Sequence, residues 1–132
     1  MRLAIADAGI QPEEISYINA HGTSTHLNDM LETKAVKIAL GEEQARKVKI
    51  NSTKSMTGHM LGGTGAVEAV VCALSIRDSF IHQTIGYTTP DPECDLDYCV
   101  DGPVEMPVSA ALSNSLGFGG HNATLCFKKC VD

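Results

Sequence analysis

Apolar and polar positions alternate in two rhythms along this chain, one with the period of a helix and one with the period of a strand. Met1 to Ala8 reads as a helix that stops at Gly9, a residue suited to the left-handed position after a helix. No capping residue precedes it, and one or two turns without a start nucleate poorly, so the chain is expected to begin inside a helix. Ile15 to Ala20 reads as a short strand, apolar at Ile15, Tyr17, Ile18 and Ala20, and it delivers His21 at its carboxyl end. Open α/β sheets place ligand sites at such strand ends. Asn28 or Asp29 is expected to cap an amphipathic helix with Leu31, Ala35, Ile38 and Ala39 on one face, Glu32 in the first turn and Gly41 at its end.

Val48 to Ile50 predicts a second short strand that empties into a loop from Asn51 to His59. Beyond Gly62-Gly63-Thr64-Gly65, the segment Ala66 to Ile76 is a helix apolar almost all round. A helix without a polar face must be covered on every side, so it is expected to be a central one, between layers or against sequence missing from this chain. Phe80 to Thr84 reads as strand or extended chain, and Thr88 to Glu105 as a long surface loop with at most a short strand. Pro107 to Ser115 and Asn122 to Lys128 are strand-like and joined by a glycine-rich turn with Phe118 at its tip. The pattern is that of an α/β protein, with residues 1–132 forming a single, incomplete domain.

Composition narrows the partners. With 43% hydrophobic and 20% charged residues among 132, the chain reads as soluble and globular. No apolar run is long enough to span a bilayer, and no secretory signal opens the sequence, so no membrane partner is expected. A net charge of −6 with scattered basic residues speaks against nucleic acid. The one local concentration, Arg46-Lys47-Val48-Lys49, reads as a solvated loop. Five cysteines (Cys72, Cys94, Cys99, Cys126, Cys130) without a CxxC pair disfavour both a disulfide framework and a zinc site. Cys72 reads as a small buried hydrophobe, and Cys126 and Cys130 as sharing one strand face. No metal or cofactor is implied, and a reducing cytoplasm suits all five thiols.

Two stretches carry the chemistry. Asn19-Ala20-His21-Gly22-Thr23-Ser24-Thr25 and Lys54-Ser55-Met56-Thr57-Gly58-His59 each set a histidine among hydroxyls and glycine. Either histidine alone reads as a hydrogen-bonded structural residue. Together they make a pair able to donate to a carbonyl oxygen that becomes an enolate or alkoxide. Glu68 is a lone carboxylate on the apolar helix; it either pairs with Lys54, which would fix the loop presenting His59, or reaches solvent at an edge. The turn Gly117-Phe118-Gly119-Gly120 lacks the lysine and following helix of a phosphate cradle, and a hairpin explains its glycines. Phe118 at the tip is placed to close over an apolar substrate.

These residues carry a family resemblance. NAHGTST (Asn19 to Thr25), STKSMTGH (Ser52 to His59), GGTGAVEA (Gly62 to Ala69) and SNSLGFGGHNATL (Ser113 to Leu125) resemble the C-terminal part of β-ketoacyl-acyl carrier protein synthases, in order and over nearly the whole chain. The resemblance implies the C-terminal half of a thiolase-like αβαβα layered fold, N-terminally truncated. It implies an acyltransferase of fatty acid elongation, which decarboxylates malonyl-acyl carrier protein and condenses the enolate with an acyl thioester. By motif, His21 and His59 are the decarboxylating histidines and Lys54 the lysine paired with Glu68. Thr23 and Thr25 match residues that bond the pantetheine arm, and Phe118 with Gly119 matches the gate and its loop. The implied partners are acyl carrier protein, an N-terminal half absent here, and a second copy in a full-length homodimer. The family's nucleophilic cysteine lies in a motif this chain lacks, so the isolated chain is expected to be inactive. His26 stands where many relatives have proline. Two alternatives stay open: a non-catalytic partner subunit akin to chain-length factors, which would have no need of both histidines, and a ketosynthase domain of a polyketide synthase.

Overall fold

A computed structural model describes residues 1–130. Its elements run α1 (Arg2–Asp7), β1 (Ile15–Asn19), α2 (His26–Leu40), α3 (Glu42–Ala45), β2 (Lys49–Asn51), α4 (Lys54–Thr57), α5 (Thr64–Asp78), β3 (Phe80–Ile81), β4 (Val104–Glu105), β5 (Ala110–Leu116) and β6 (Asn122–Lys128). The main sheet has the order β2-β1-β5-β6. β1 is parallel to both of its neighbours, and β6 returns antiparallel to β5 through the glycine-rich turn. Parallel neighbours require crossover connections, which α2–α3 and the α4–α5 segment supply. β3 and β4 form a separate two-stranded ribbon.

The sheet is covered on both faces. Ile15, Ile18, Ala110 and Leu112 pack with Ile5, Val36 and Leu40 from the helices α1 and α2. Tyr17 and Ala111 turn the other way, onto Cys72 of α5 with Ile81 and Val108. Residues three apart in a regular strand face opposite sides. Ile15 and Ile18 share one because the register of β1 on β5 shifts between Ile15 and Tyr17. Strands buried on both faces read as near-continuous apolar runs, which explains why β1 was legible in the sequence.

The helix stops fall where expected, with Gly9 at φ 65° and Gly41 at φ 85°. Other expectations need correction. α2 starts at His26 with Thr25 at the cap position, not at Asn28 or Asp29. Its buried face is Glu32, Thr33, Val36 and Leu40, while Leu31 and Ile38 are exposed. Here polar atoms that find partners, not the longest apolar stripe, decide the inward face. The loop before His59 contains the short helix α4, β3 ends at Ile81, and β5 begins only at Ala110. Cys130 lies beyond the end of β6 and is exposed, so it does not share a strand face with Cys126. The Arg46–Lys49 run is ion-paired: Arg46 reaches Glu42 and Asp95, Lys47 reaches Glu43, and Lys49 reaches Asp97.

α5 also inverts the usual rule. Thr64, Glu68, Cys72 and Ser75 are its buried residues, whereas Val67, Val70 and Leu74 are exposed. Small and polar side chains let the helix lie close to β5; a Cβ on Gly65 would sit 3.4 Å from Ser115 Oγ. Among the described residues, no helix is long and apolar enough to cross a membrane.

Candidate active site

Because β1, β2 and β5 run parallel, their carboxyl ends lie along one edge of the sheet, and each empties into one of the motifs. β1 leads to the His21 loop, β2 to Lys54 and His59, and β5 to the Phe118 turn. The Ala20 N–H donates to the Asn51 carbonyl at 2.7 Å, so the first two strands stay tied together up to the residue before His21.

At Gly22 the chain turns with φ 44°, and a Cβ there would meet Ser52 Cβ at 2.6 Å. Only glycine fits that approach. The amides of His21 and Gly22 donate to Glu32 Oε1 at 2.9 Å and Oε2 at 3.0 Å. Nothing in the sequence pattern singles out this role of Glu32, which read as a helix-dipole residue.

The second arm rests on a buried polar network. Tyr17 Oη donates to Asn51 Oδ1 at 2.6 Å, and Asn19 Nδ2 donates to Thr53 Oγ1 at 2.7 Å. Thr53 immediately precedes Lys54, the first residue of α4, so these bonds set where that helix begins. Lys54 Nζ donates to Glu68 Oε1 at 2.5 Å, and both residues are buried. Burial pushes the Glu68 carboxyl above its usual range, while the Lys54 hydrogen bond and charge pull it back. Glu68 Oε2 has no hydrogen-bond partner among the described residues.

His59 follows Gly58, where φ is 73°. Its Nδ1 accepts from the Leu61 N–H at 3.0 Å, and Thr64 Oγ1 lies 3.3 Å from the same atom. In the neutral ring an accepting Nδ1 leaves the proton on Nε2. The His21 and His59 ring centroids are 5.7 Å apart at an interplanar angle of 85°. Burial holds the His21 imidazole below its ordinary pKa of 6.5, and the Lys54 and His59 charges add to this. His21 is therefore a neutral ring near pH 7.

A cavity of about 1210 Å³ is lined by His21, Thr23, Thr25, Lys54, His59, Glu68 and Phe118. Thr23 Oγ1 and Thr25 Oγ1 lie 2.9 Å apart at its wall, and Phe118 is fully exposed beside it. Gly119 does not line the cavity; at φ 75° it shapes the turn that presents Phe118. A second cavity of about 620 Å³ shares Thr23, Lys54 and His59 with the first.

No cysteine lines the larger cavity. Burial pushes the Cys72 thiol up to about 12 and the Cys99 thiol up to about 11, and raises Cys94 and Cys126 as well. A thiol so raised is a poor nucleophile. No group of three or more His, Cys, Asp or Glu residues that could hold a metal ion occurs among the described residues. The larger cavity thus offers three imidazoles (His21, His59 and His121), the Lys54 cation and hydroxyls, and no thiol among its lining residues.

Residues 1–88 match the family model for the C-terminal domain of β-ketoacyl synthases, and the chain belongs to that family. It is 55% identical over 129 residues to 3-oxoacyl-[acyl-carrier-protein] synthase 2 of Staphylococcus aureus (strain COL), covering 98% of this chain and 31% of that protein. The protein of the same name from Synechocystis sp. is 55% identical over 126 residues, covering 96% and 30%. Among solved structures, a type II PKS acyl-carrier protein in complex with its ketosynthase matches with TM-score 0.93 and 45% identity over 98% of this chain and 31% of that one. A β-ketoacyl synthase from Burkholderia phymatum matches with TM-score 0.91 and 36% identity, covering 99% and 31%. The fold is the C-terminal half of a thiolase-like ketosynthase. The chain spans about a third of the length of these relatives.

Proposed function

We propose that this chain supplies the decarboxylating side of a 3-oxoacyl-[acyl-carrier-protein] synthase, a cytoplasmic acyltransferase that elongates fatty acyl chains. In this reading His21 and His59 donate to the thioester carbonyl oxygen of a malonyl group. The bond between the α-carbon and the carboxylate breaks, carbon dioxide leaves, and the bonding pair becomes an enolate whose charge rests on that oxygen. The enolate carbon attacks an acyl thioester held on a cysteine outside these 132 residues. A carbon–carbon bond forms, the carbon–sulfur bond breaks, and the thiolate departs. Lys54 and Glu68 fix the His59 loop, Thr23 and Thr25 bond the pantetheine arm, and Phe118 with its Gly119 hinge gates the acyl pocket. The donors of the malonyl and acyl groups are acyl carrier protein thioesters, as the likeness to a ketosynthase solved with such a partner supports. The complete enzyme works as a homodimer in this reading.

The observation that carries the reading is the convergence of two histidines from separate loops, with centroids 5.7 Å apart, over a buried Lys54–Glu68 pair. Hydrogen-bond donors held in place in advance stabilise a developing oxyanion better than water does. Retention of both rings also favours chemistry over a chain-length-factor role. The exposed Val67, Val70 and Leu74 of α5 form a surface that the rest of a condensing enzyme would cover.

Two preparations test this. The purified chain, given acyl- and malonyl-acyl carrier protein, is expected to make no elongated product, because no suitable nucleophile is present. A hybrid that joins the chain to the remainder of the Staphylococcus aureus relative is expected to elongate. Elongation by the chain alone, or an inactive but folded hybrid, contradicts the reading.

A further inference from the structure

We propose that Glu32 is the positioning residue of the His21 loop: its two carboxylate oxygens clamp the consecutive His21 and Gly22 amides and so aim the His21 imidazole at His59. The consequence for catalysis rests on the decarboxylating role proposed above; the clamp itself does not.

Glu32 is 5% exposed, and a carboxylate that deep needs compensation. Among the described residues, no cation is paired with it. Its partners are neutral donors: His21 N–H at 2.9 Å and Asn114 Nδ2 at 3.1 Å on Oε1, and Gly22 N–H at 3.0 Å and Asn28 Nδ2 at 3.5 Å on Oε2. Hydrogen bonds to a charged acceptor are about twice as strong as neutral ones. Glycine permits φ 44° at Gly22 but does not select it, since it populates many conformations. A rigid acceptor that holds both neighbouring amides selects one orientation of the peptide between them, and with it the direction of the His21 side chain.

The clamp is braced from behind. Asn114 lies on β5, and its Oδ1 accepts from Thr124 Oγ1 of β6 at 2.9 Å. Glu32 therefore references the His21 loop to the same two strands that carry the Phe118 turn. A residue present only for packing would not need both oxygens on adjacent amides of the imidazole-bearing turn.

Glu32→Gln separates the two roles, since it keeps size and shape. A glutamine oriented to keep the Oε1 bonds turns its NH2 toward the Gly22 N–H, which then loses its acceptor; Asn28 can flip its own amide to adapt. Glu32→Ala removes all four bonds and is the second variant. Nuclear magnetic resonance on the 132-residue chain reads the effect. In Glu32→Gln the Gly22 amide is expected to exchange roughly tenfold faster or more. The His21 imidazole, less buried, is expected to titrate closer to its ordinary value, while the Ile5 and Val48 amides keep their positions. In the hybrid enzyme, malonyl decarboxylation is expected to slow roughly ten- to hundredfold with KM unchanged. Unchanged Gly22 exchange and His21 titration in both variants overturn the proposal, as do changes that appear only together with loss of the Ile5 and Val48 signals. The resonance readings need no activity, so they stand or fall separately from the proposed function.

Discussion

Lys54→Met should damage this protein in a way that depends on pH, because its cost is an orphaned charge. The substitution keeps most of the aliphatic stem and removes the ammonium that bonds Glu68 Oε1 at 2.5 Å. Glu68 is only 1% exposed, so its carboxylate is left in a dry site with no compensating cation. Breaking one side of a buried pair typically costs about 3–5 kcal/mol. A carboxyl has an escape, however: it can take up a proton. For an ordinary pKa of 4.5, protonation costs about 1.4 kcal/mol per pH unit above that value. That caps the penalty at about 3.4 kcal/mol at pH 7 and about 0.7 kcal/mol at pH 5. Burial has already raised Glu68, so the true ceiling lies below these figures. Urea unfolding of wild type, Lys54→Met and Lys54→Met/Glu68→Gln at pH 5, 6 and 7, at low micromolar concentration, measures this. The single variant is expected to recover most of its lost stability by pH 5, and the double variant to show no such recovery. A deficit of Lys54→Met equal at pH 5 and pH 7 would refute the reasoning, since packing loss alone has no pH dependence.

Three further outcomes follow from the geometry. Gly22→Ala places a Cβ 2.6 Å from Ser52 Cβ at a positive φ, so a loss of roughly 1–3 kcal/mol is expected in the same assay, partly relieved by Ser52→Gly. Asp95, bonded by Lys37 and Arg46, is held down to about 2, below its ordinary 3.8; a depressed acid stabilises the fold fully above the ordinary value and ceases to do so as pH falls through about 2. Acid titration monitored by circular dichroism should therefore show Asp95→Asn abolishing a transition between those limits, and added salt weakening it in wild type. Val70 is 57% exposed on α5, so Val70→Lys should lower hydrophobic-dye binding by the isolated chain while changing stability by no more than about 0.5 kcal/mol.

Apolar pattern marks the elements buried by apolar contacts and misses the helix faces buried for polar ones. β1 was legible because Ile15, Tyr17 and Ile18 are apolar on both faces, as a strand between two helical layers must be. Gly9 and Gly41 marked helix ends through the left-handed conformation that few other residues tolerate. The cost of a lone buried carboxylate made a Lys54–Glu68 pair one of two readings, and the pair is the one that forms. The inward face of α2 did not follow, because Glu32 and Thr33 are buried for their hydrogen bonds. Glu32 bonds the His21 loop, and Thr33 Oγ1 donates to the Asp29 carbonyl at 2.7 Å. Hydrophobic periodicity ranks side chains by transfer from water and is blind to partners supplied by a distant loop. The same blindness hid the polar inner face of α5. Both histidines stand out in the sequence, yet their proximity depends on the parallel arrangement of β1 and β2, a long-range fact no local pattern encodes.

In the proposed mechanism His21 and His59 act together on one oxygen. The most direct test is release of labelled carbon dioxide from malonyl-acyl carrier protein by the hybrid enzyme carrying His21→Ala, His59→Ala or both. If the two rings stabilise the same oxyanion, each single change should slow release by roughly 10²–10³. The double change should then cost much less than the product of the two, as for groups that act as a unit. Near-wild-type release from either single variant, with the fold intact, would contradict the account.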